Sequence, residues 1–440
     1  MPQTHEDASA TDAPAELPRG ARGYVVLLQR NANLRNVWIG QVISQLGDWF
    51  NTVALLGLLV DLTKNPASAS LVLVIQILPA TLTGLFLSGA IADRFDRRKI
   101  MLTMDLIRGC LALSFLFVKD PSMVWVAYAA TAGMAIGGSF FNASSSAALP
   151  NLVTRQELPL ANALSQSTFA SMLMVGSAIG GITAHLFGRD VSFLLNSLSF
   201  FGSAFFVWRT KASFSTSEGR QVVFGVGTLR ILTEGFRYLK QDQVTRVFIL
   251  VKPAFSWIFG AIGLYSVYAL NIYKVGDIGT SWLYIGRGLG ALLSPLIVMS
   301  LVSLTDTRAL GRVVRIGLFI AISGYAIFGF STVPLVGVVG TFFGHFGAAM
   351  VWTFSRMILQ VNTPDYVRGR VLALDEVMQS GVTSTANIVA GVVANAYFPE
   401  AGVLTVVSMG VVGVIIWLLT TWRTYQRTPT ETAPEQPQPA

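Results

Sequence analysis

The sequence is poor in charge, cysteine and histidine, and these shortages exclude several kinds of site. Charged residues make up 12% of the chain, against about 25% in ordinary soluble domains. Cys110 is the only cysteine, so no intramolecular disulfide can form. The three histidines and one cysteine form no cluster that could bind a metal. The Gly-x-x-x-x-Gly-Lys-Ser/Thr loop that binds nucleotide phosphates is also missing, so we expect no metal, no cofactor and no ATP hydrolysis.

Long apolar runs dominate instead, since 52% of the residues are hydrophobic. A run of about 18 residues or more is long enough to cross the hydrocarbon core of a bilayer as a helix. The fold class we predict is therefore an all-α integral membrane protein with twelve transmembrane helices in two pseudo-symmetric six-helix bundles. The runs are 37–62, 68–92, 100–118, 123–148, 160–186, 191–208, 247–273, 281–304, 313–331, 334–359, 371–397 and 401–422.

Basic residues divide the loops into two sets. One set holds only Lys64, Lys119, Arg189 and Lys274, whereas the termini and the alternate loops carry most of the others. Because the basic side of a membrane protein is cytoplasmic, we predict a plasma-membrane protein with both termini inside. This bias accounts for the net charge of +8 without a nucleic-acid partner. Residues 1–35 carry no signal-peptide core, so the first run is expected to direct insertion.

The runs and the polar segments between them predict a domain plan. Apolar residues between Gly225 and Lys240 recur on one helical face, which indicates an amphipathic helix at the inner membrane surface. The halves also share a weakly repeated plan, as transporters with a site between two halves do. The predicted domains are a cytoplasmic tail (1–36), a six-helix bundle (37–208), a cytoplasmic linker with the amphipathic helix (209–246), a second bundle (247–422) and a disordered cytoplasmic tail (423–440).

The segment Gly89–Lys99 joins the second and third runs, and we call it the signature loop. Its order, Gly-x-x-x-Asp-Arg-x-x-Arg-Arg, resembles the loop between the second and third helices of the major facilitator superfamily of transporters. Asp96 stands where that family usually has glycine. The resemblance implies the major facilitator fold, a small residue at Gly89 for close helix approach, and a gating role for charged residues of the loop.

In that family the signature loop meets the start of the eleventh span when the cytoplasmic side is closed. If the same contact forms in this protein, Asp93 would cap that helix near Val371, while Arg94 and Arg97 would pair with acids at its start. The gating residues implied are Gly89, Asp93, Arg94, Arg97, Arg98, Asp375 and Glu376. An acid at a helix start is also favoured by the helix dipole alone.

Three further motifs narrow the resemblance within the superfamily. They are Gly-Gln-x-x-Ser-x-x-Gly-Asp at 40–48, Asp-x-x-Arg at 105–108 and Pro-x-x-x-Arg-Gly-Arg-Val at 364–371. Together they resemble the branch that holds the enterobactin exporters and the macrolide efflux proteins, which implies export driven by proton entry. The fifth run is similar to an antiporter motif, with Met172 and Ser177 in place of its first glycine and its proline.

Placing an ionisable side chain inside a bilayer is energetically unfavourable, so each such residue within the runs is a candidate functional residue. Asp48 lies near the middle of the first run, where it either carries the coupled proton or is a hydrogen-bonded packing residue. Asp105 and Arg108 share one helical face and can neutralise one another; such a pair either supports proton coupling or braces the signature loop. His345 has small neighbours and a side chain that titrates near neutral pH, which suits a proton relay or a neutral core residue.

Two cations in the second half, Lys252 and Arg287, have no acid beside them in sequence. Facing a cavity, they would attract a carboxylate, catecholate or phosphate group, with Arg287 able to grip it through two hydrogen bonds. In the alternative, Lys252 extends to the interface and Arg287 binds a backbone carbonyl at the contact with the fifth run. Other substrate-binding candidates, implied by their positions on cavity-lining spans of the family, are Gln41, Gln45, Trp257, Tyr265, Tyr268, Phe342 and Trp352.

The function we predict is export of a small amphipathic compound, a siderophore-like metabolite or a drug, by proton antiport with alternating access. Its partners would be the small-molecule substrate, protons and the lipid bilayer, with the monomer as the functional unit. Uptake, or flipping of lysophospholipid, is an alternative for the same fold. A membrane receptor or assembly factor that transports nothing is another. No nucleophile and base constellation is present, so we expect no enzyme.

Overall fold

The computed structural model describes residues 21–211, 214, 226–302 and 307–427. Within them the chain is helical, and twelve helices are long and apolar enough to cross a membrane. The twelve-span, all-α prediction is confirmed. In chain order, spans 1 to 12 are Ala32–Thr63, Pro66–Arg94, Arg97–Phe117, Pro121–Leu152, Leu158–Phe187, Arg189–Arg209, Gln243–Ile272, Asp277–Leu301, Ala309–Gly329, Pro334–Asn362, Val367–Ala396 and Pro399–Thr421.

Most spans begin before the apolar runs predicted for them, and polar residues cap several of these starts. Asn31 and Asn65 accept hydrogen bonds from backbone amides at the starts of spans 1 and 2, which satisfies groups that a helix start leaves unpaired. Asp96 does the same for span 3, with its Oδ1 accepting from the Lys99 amide at 3.1 Å. The acid that departs from the signature pattern is thus a helix cap.

Spans 1 to 6 form the first half, and spans 7 to 12 form the second. In the first half span 1 packs on spans 5 and 6, and span 3 packs on spans 4 and 6. In the second half span 10 packs on spans 8 and 9, and span 7 packs on spans 11 and 12. Between the halves, span 2 packs on span 11 and span 5 on span 8. We call this contact between the halves the seam.

Two described helices lie outside the spans, and only the first of them is absent from the predicted plan. Ala21–Arg30 is a helix within the predicted N-terminal tail. The linker helix is Val226–Gln241, and it packs on span 11, where Glu234 Oε2 lies 2.7 Å from Arg370 Nη1. It is therefore attached to the second half and does not rest on the membrane surface alone. Residues 1–20 of the predicted tail 1–36 and residues 428–440 of the predicted tail 423–440 lie outside the described residues, whereas 423–427 continue the helix Pro399–Arg427.

The seam has two ends, which we name by their position. The terminal side is where span 1 begins and span 12 ends, and the opposite side is where Thr63 and Asp277 lie. Towards the opposite side the halves touch closely: a Cβ on Gly181 would overlap the Ser281 side chain, and a Cβ on Gly391 would lie 2.8 Å from Ala67 Cα. Small residues allow such approach between membrane helices.

Candidate functional site

A cavity of about 930 Å³ lies between the halves. Its lining runs from Asn51 and Gln76 in the middle of the seam to Ser146 and Ala373 nearer the terminal side. The first half supplies most of the wall, and span 11 supplies the rest. Polar side chains on this wall are Gln45, Asp48, Asn51, Thr52, Gln76, Thr81, Arg108, Thr131, Ser139, Asn142, Ser146 and Glu376.

An ion pair between spans 1 and 3 forms part of the cavity wall, and we call it the wall pair. Arg108 Nη2 donates to Asp48 Oδ2 at 2.9 Å and to Oδ1 at 3.2 Å. The guanidinium also stacks over the Phe200 ring, with Cζ 4.1 Å from the ring centroid. Gly137 makes room for it, because a Cβ there would lie 3.0 Å from Arg108 Cγ. The arginine is thus held firmly while its acid partner meets the cavity.

A second carboxylate completes a cluster around the same arginine. Asp105 is 0% exposed, and its Oδ1 lies 3.7 Å from Arg108 Nη1. The predicted Asp105 and Arg108 contact exists, but the shorter bonds of Arg108 go to Asp48. With both acids ionised the cluster carries one net negative charge, and one bound proton makes it neutral. Such an arrangement can take up and release one proton while its net charge changes only between zero and minus one.

In the second half, a chain of hydrogen bonds links four spans. Arg287 Nε donates to His345 Nε2 at 2.7 Å, and His345 Nδ1 lies 2.7 Å from the Tyr325 hydroxyl. The Tyr325 hydroxyl is in turn 3.2 Å from that of Tyr265. Because Nε2 accepts from a guanidinium, His345 is a neutral imidazole in this arrangement. His345 thus has the environment of the neutral core residue, which was one of its two predicted roles. The hydrogen-bond partner of Arg287 is therefore an uncharged side chain.

Arg287 sits behind an aromatic contact at the seam. Its Cζ lies 5.6 Å from the Tyr284 ring centroid, and the Tyr284 ring lies 5.3 Å from that of Trp49 in the first half. Trp49 lines the cavity, whereas Arg287 does not reach the described lining. The predicted alternative gave Arg287 a backbone carbonyl as its partner, whereas its partner in the structure is His345.

Lys252 is placed differently from both of its predicted settings. It is 0% exposed and forms an ion pair with Asp375, which is 1% exposed. Its Nζ also lies 4.9 Å from the centroid of the Trp352 ring. We call this the sealed pair. Lys252 neither reaches the membrane interface nor lines the cavity. Asp375 forms its ion pair with Lys252 and not with an arginine of the signature loop. The acid that the sequence did not show beside Lys252 lies 123 residues away.

Only one of the remaining substrate-binding candidates lines the cavity, namely Gln45. Tyr265 and Tyr268 are fully buried in the second half, where Tyr268 donates to the Gly329 carbonyl oxygen at 2.9 Å. Trp257 borders a separate apolar cavity beside span 12. The others lie outside the described lining: Gln41 and Phe342 are half-buried, and Trp352 packs on Lys252.

The signature loop contacts its own half and the linker. Arg97 donates to the Ala147 carbonyl at 2.8 Å and to the Phe214 carbonyl at 3.2 Å, and its Nη2 lies 3.5 Å from Asp93. Arg98 binds the carbonyls of Val207 and Trp208. A Cβ built on Gly89 would lie more than 4 Å from any other described part of the chain, so no described helix packs closely there.

Among the described contacts, neither Arg94 nor Arg97 therefore pairs with Asp375 or Glu376 in this structure. Arg94 stacks on its neighbour Phe95. Asp375 belongs to the sealed pair, and Glu376 lines the cavity with Arg356 Nη1 3.9 Å away. The physical reason is the open cavity at the terminal side, which separates the two surfaces that the resemblance brings together.

Closure at the opposite side rests on an arginine that was predicted only as a loop residue. Arg189 Nε and Nη2 donate to the two oxygens of Asp277 at 2.8 and 3.0 Å, and Nη2 also donates to Asp61 at 2.6 Å. Asp277 belongs to the second half, whereas Arg189 and Asp61 belong to the first. We call these three residues the outer clasp, because their bidentate geometry joins the halves directly.

Comparison with known proteins then identifies the family. A family model described as "Transmembrane secretion effector" matches residues 28–439. The chain belongs to this family of major facilitator transporters. BacE of Bacillus subtilis (strain 168), which is named as a bacilysin exporter, is 23% identical over 79% of the chain and 85% of its own length. The enterobactin exporter EntS of Escherichia coli O1:K1 is 24% identical over 67% and 69%.

Solved structures agree on the fold of this transporter. A mutant of the nucleoside transporter NupG has a TM-score of 0.69 at 15% identity, over 88% of the chain and 99% of that structure. A bacterial homolog of the human lysosomal transporter Spinster, in an inward-facing, unoccupied conformation, has 0.67 at 12%, over 90% and 98%. The resemblance to major facilitator transporters is confirmed, and the chain is a multi-pass protein of the plasma membrane.

Sequence reasoning missed several residues of the candidate site. Asn51, Gln76 and Asn142 on the cavity wall are ordinary polar residues within apolar runs, and only the packing shows which way they face. Arg189 did carry a signal, as one of four basic residues in its set of loops. Arg189 lies close to Asp277 because the two halves meet there, and the spacing of the two residues in the sequence does not predict this contact.

Proposed function

We propose that this transporter exports a small amphipathic compound by proton antiport with alternating access. The observation that carries the proposal is the cluster of Asp48, Asp105 and Arg108, in which two carboxylates share one guanidinium at a cavity wall. The relatives BacE and EntS, both named as exporters, support the direction of transport. A siderophore-like metabolite or a drug is the cargo class that we retain.

The cluster couples proton movement to the cavity in the following way. Asp48 is the accessible member, since its side chain is 38% exposed and that of Arg108 only 9%. A proton that enters from the opposite side neutralises Asp48 and weakens its bond to Arg108, which then remains paired with Asp105. Release of that proton to the terminal side restores the Asp48 carboxylate. One proton thus crosses for each cycle of the cluster, and the charge at mid-membrane never exceeds one.

The basic residues orient this cycle in the membrane. By the positive-inside rule the terminal side is cytoplasmic, so the cavity is open to the cytoplasm and the outer clasp closes the outside. This is the state in which an exporter loads its cargo. In the alternate state, Gly89, Asp93, Arg94, Arg97 and Arg98 would close the cytoplasmic side against span 11.

Arg287 is the cation that we assign to an anionic group of the cargo. Among the described residues its hydrogen-bond partner is neutral His345 rather than a carboxylate, so its charge is available to a ligand. Tyr284 and Trp49 lie between it and the cavity. Movement of these two rings at the seam would bring Arg287 within reach of the cavity.

Proteoliposomes with an imposed pH gradient test the proposal. A panel of a catecholate, a dipeptide antibiotic and an amphipathic cation is added in turn, and proton flux is followed with a pH-sensitive dye. We expect at least one compound to dissipate the gradient with the wild type, and Asp48→Asn to reduce this flux at least tenfold. The matched control is Asp190→Asn, which removes a carboxylate from an exposed pair with Lys119 on the opposite surface.

Other results would favour the remaining functions. Unchanged proton-coupled flux in Asp48→Asn would overturn the assigned coupling site. Compound entry without any gradient would favour uptake, and movement of a labelled lysophospholipid between leaflets would favour flipping. A protein that binds a compound but moves none would be a receptor or an assembly factor.

A further inference from the structure

One face of span 11 carries a row of buried polar side chains. Ser380, Thr383, Ser384 and Asn387 are each at most 6% exposed, and we call them the polar face. Thr383 Oγ1, Ser384 Oγ and Asn387 Oδ1 have no hydrogen-bond partner among the described residues. Burying such groups unpaired is unfavourable. Several of them on one helix face therefore need an explanation outside this closed arrangement.

The polar face continues the cavity wall. Ala373, Glu376 and Val377 of span 11 line the cavity, and the polar face follows them at three- and four-residue spacing, which keeps all seven on one side of the helix. Asn387 lies ten residues beyond Val377, about 15 Å further towards the opposite side. The face thus runs from the end of the present cavity towards the outer surface.

Span 2 of the first half packs on span 11 and meets the Asn387 end of the polar face in this state. Ser70 of span 2 is 1% exposed, and its Oγ likewise has no partner among the described residues. A Cβ on Gly263 of span 7 would lie 2.7 Å from both Ser70 Oγ and Asn387 Oδ1, so these two side chains meet around that glycine. Span 7 is a tighter 3₁₀ helix over Ser256–Leu264, a form that often marks a hinge.

We propose that the polar face is the wall of the path by which cargo leaves to the opposite side. The inference rests on the alternating access of the proposed function. When span 2 moves away from span 11, water and the hydrogen-bonding groups of the cargo satisfy Thr383, Ser384 and Asn387. No charged residue occurs between Val377 and Ala396. The face therefore takes uncharged hydroxyl, amide and carbonyl groups, and the cargo is a compound rich in them rather than a purely apolar one.

Cysteine labelling tests whether the path opens. In a Cys110→Ser background, Ser384→Cys is treated in intact cells with a membrane-impermeant maleimide. The matched control is Ser197→Cys, which is 1% exposed but bonds to the Gly109 carbonyl inside the first half. Exposed Ser122→Cys gives the rate of complete access. We expect Ser384→Cys to react at least tenfold faster than Ser197→Cys, and equal rates would overturn the proposal. If Ser384→Cys fails to fold, Thr383→Cys replaces it.

A second substitution should change the opening itself. In Gly263→Ala the new methyl would press on Ser70 and Asn387 at 2.7 Å, and on Ser70 Cα at 2.9 Å, so span 2 must withdraw. We expect labelling of Ser384→Cys to increase at least threefold in this variant. No increase, in a variant that still elutes as a monodisperse protein, would contradict the assigned cover.

The chemistry of the face is tested separately with Thr383→Val, which keeps the shape and removes the hydroxyl. We expect export of hydroxyl-rich or amide-rich cargo to slow at least threefold, and unchanged export would overturn the hydrogen-bonding role. Labelling distinguishes this inference from the proposed function. Labelling of Ser384→Cys without any proton-coupled flux would refute the antiport and leave the path intact. Proton-coupled flux without labelling would refute the path and leave the antiport intact.

Discussion

The sealed pair and the wall pair are both ion pairs between membrane spans, but they differ in their exposure to the cavity. Each joins a basic and an acidic side chain between spans of one half. The Lys252 and Asp375 side chains are 0% and 1% exposed, whereas those of Arg108 and Asp48 are 9% and 38% exposed at the cavity wall. The wall pair has a spare carboxylate in Asp105, while Lys252 adds the Trp352 ring.

This difference is the basis on which we propose a structural role for the sealed pair and proton coupling for the wall pair. A buried pair with no access to water cannot exchange a proton with the cavity, and loss of either partner leaves an uncompensated charge in the membrane core. The wall pair is placed for such exchange, since Asp48 lines the cavity and Asp105 stays beside the arginine. A charge within a span therefore does not identify a coupling site until its exposure and its partners are known.

The largest effect on stability is expected from breaking the sealed pair. Lys252→Met leaves Asp375 buried without a cation, which we expect to cost about 3–5 kcal/mol. Unfolding in detergent, followed by tryptophan fluorescence, measures the loss. The double variant Lys252→Met, Asp375→Leu should recover most of the stability, because an apolar pair replaces both charges. If the double variant were as unstable as the single one, the pair would have a role beyond charge balance.

An intermediate effect is expected at the outer clasp, whose arginine is 20% exposed. Arg189→Gln leaves Asp277, at 8% exposure, without its cation, and we expect a loss of about 1–3 kcal/mol. The opposite side should also open more often, so labelling of Ser281→Cys, which lies against Gly181, should become several times faster in a Cys110→Ser background. The control is Lys64→Gln, at the edge of the clasp. Unchanged labelling would show that other contacts hold this side closed.

The smallest effect is expected from the exposed pair of Lys119 and Asp190, whose side chains are 58% and 60% exposed. Asp190→Asn should cost less than about 1 kcal/mol, because solvent and salt screen such pairs. Thermal unfolding at low and high salt checks this value. A loss close to that of Lys252→Met would break the proposed relation between exposure and function.

The signature loop shows why part of the site was not predictable. Its motif was read correctly as that of a major facilitator transporter, yet the predicted partners Asp375 and Glu376 are elsewhere in this structure. In the alternating access that we propose, a gate contact exists in only one of two conformations, and the sequence encodes both without saying which one is present. Asp93 and Arg97 therefore remain predicted gating residues of the alternate state.

The sequence by itself determined the twelve spans, the two halves and the family. Bilayer thickness and the need to satisfy every backbone group within lipid are local constraints that each segment must meet alone. Tertiary structure alone decided the partners. Asp48 and Arg108 lie 60 residues apart, and Arg189 and Asp277 lie 88 apart. Helical periodicity places a side chain on a face but does not state which helix meets that face, so only packing distinguishes the sealed pair from the wall pair.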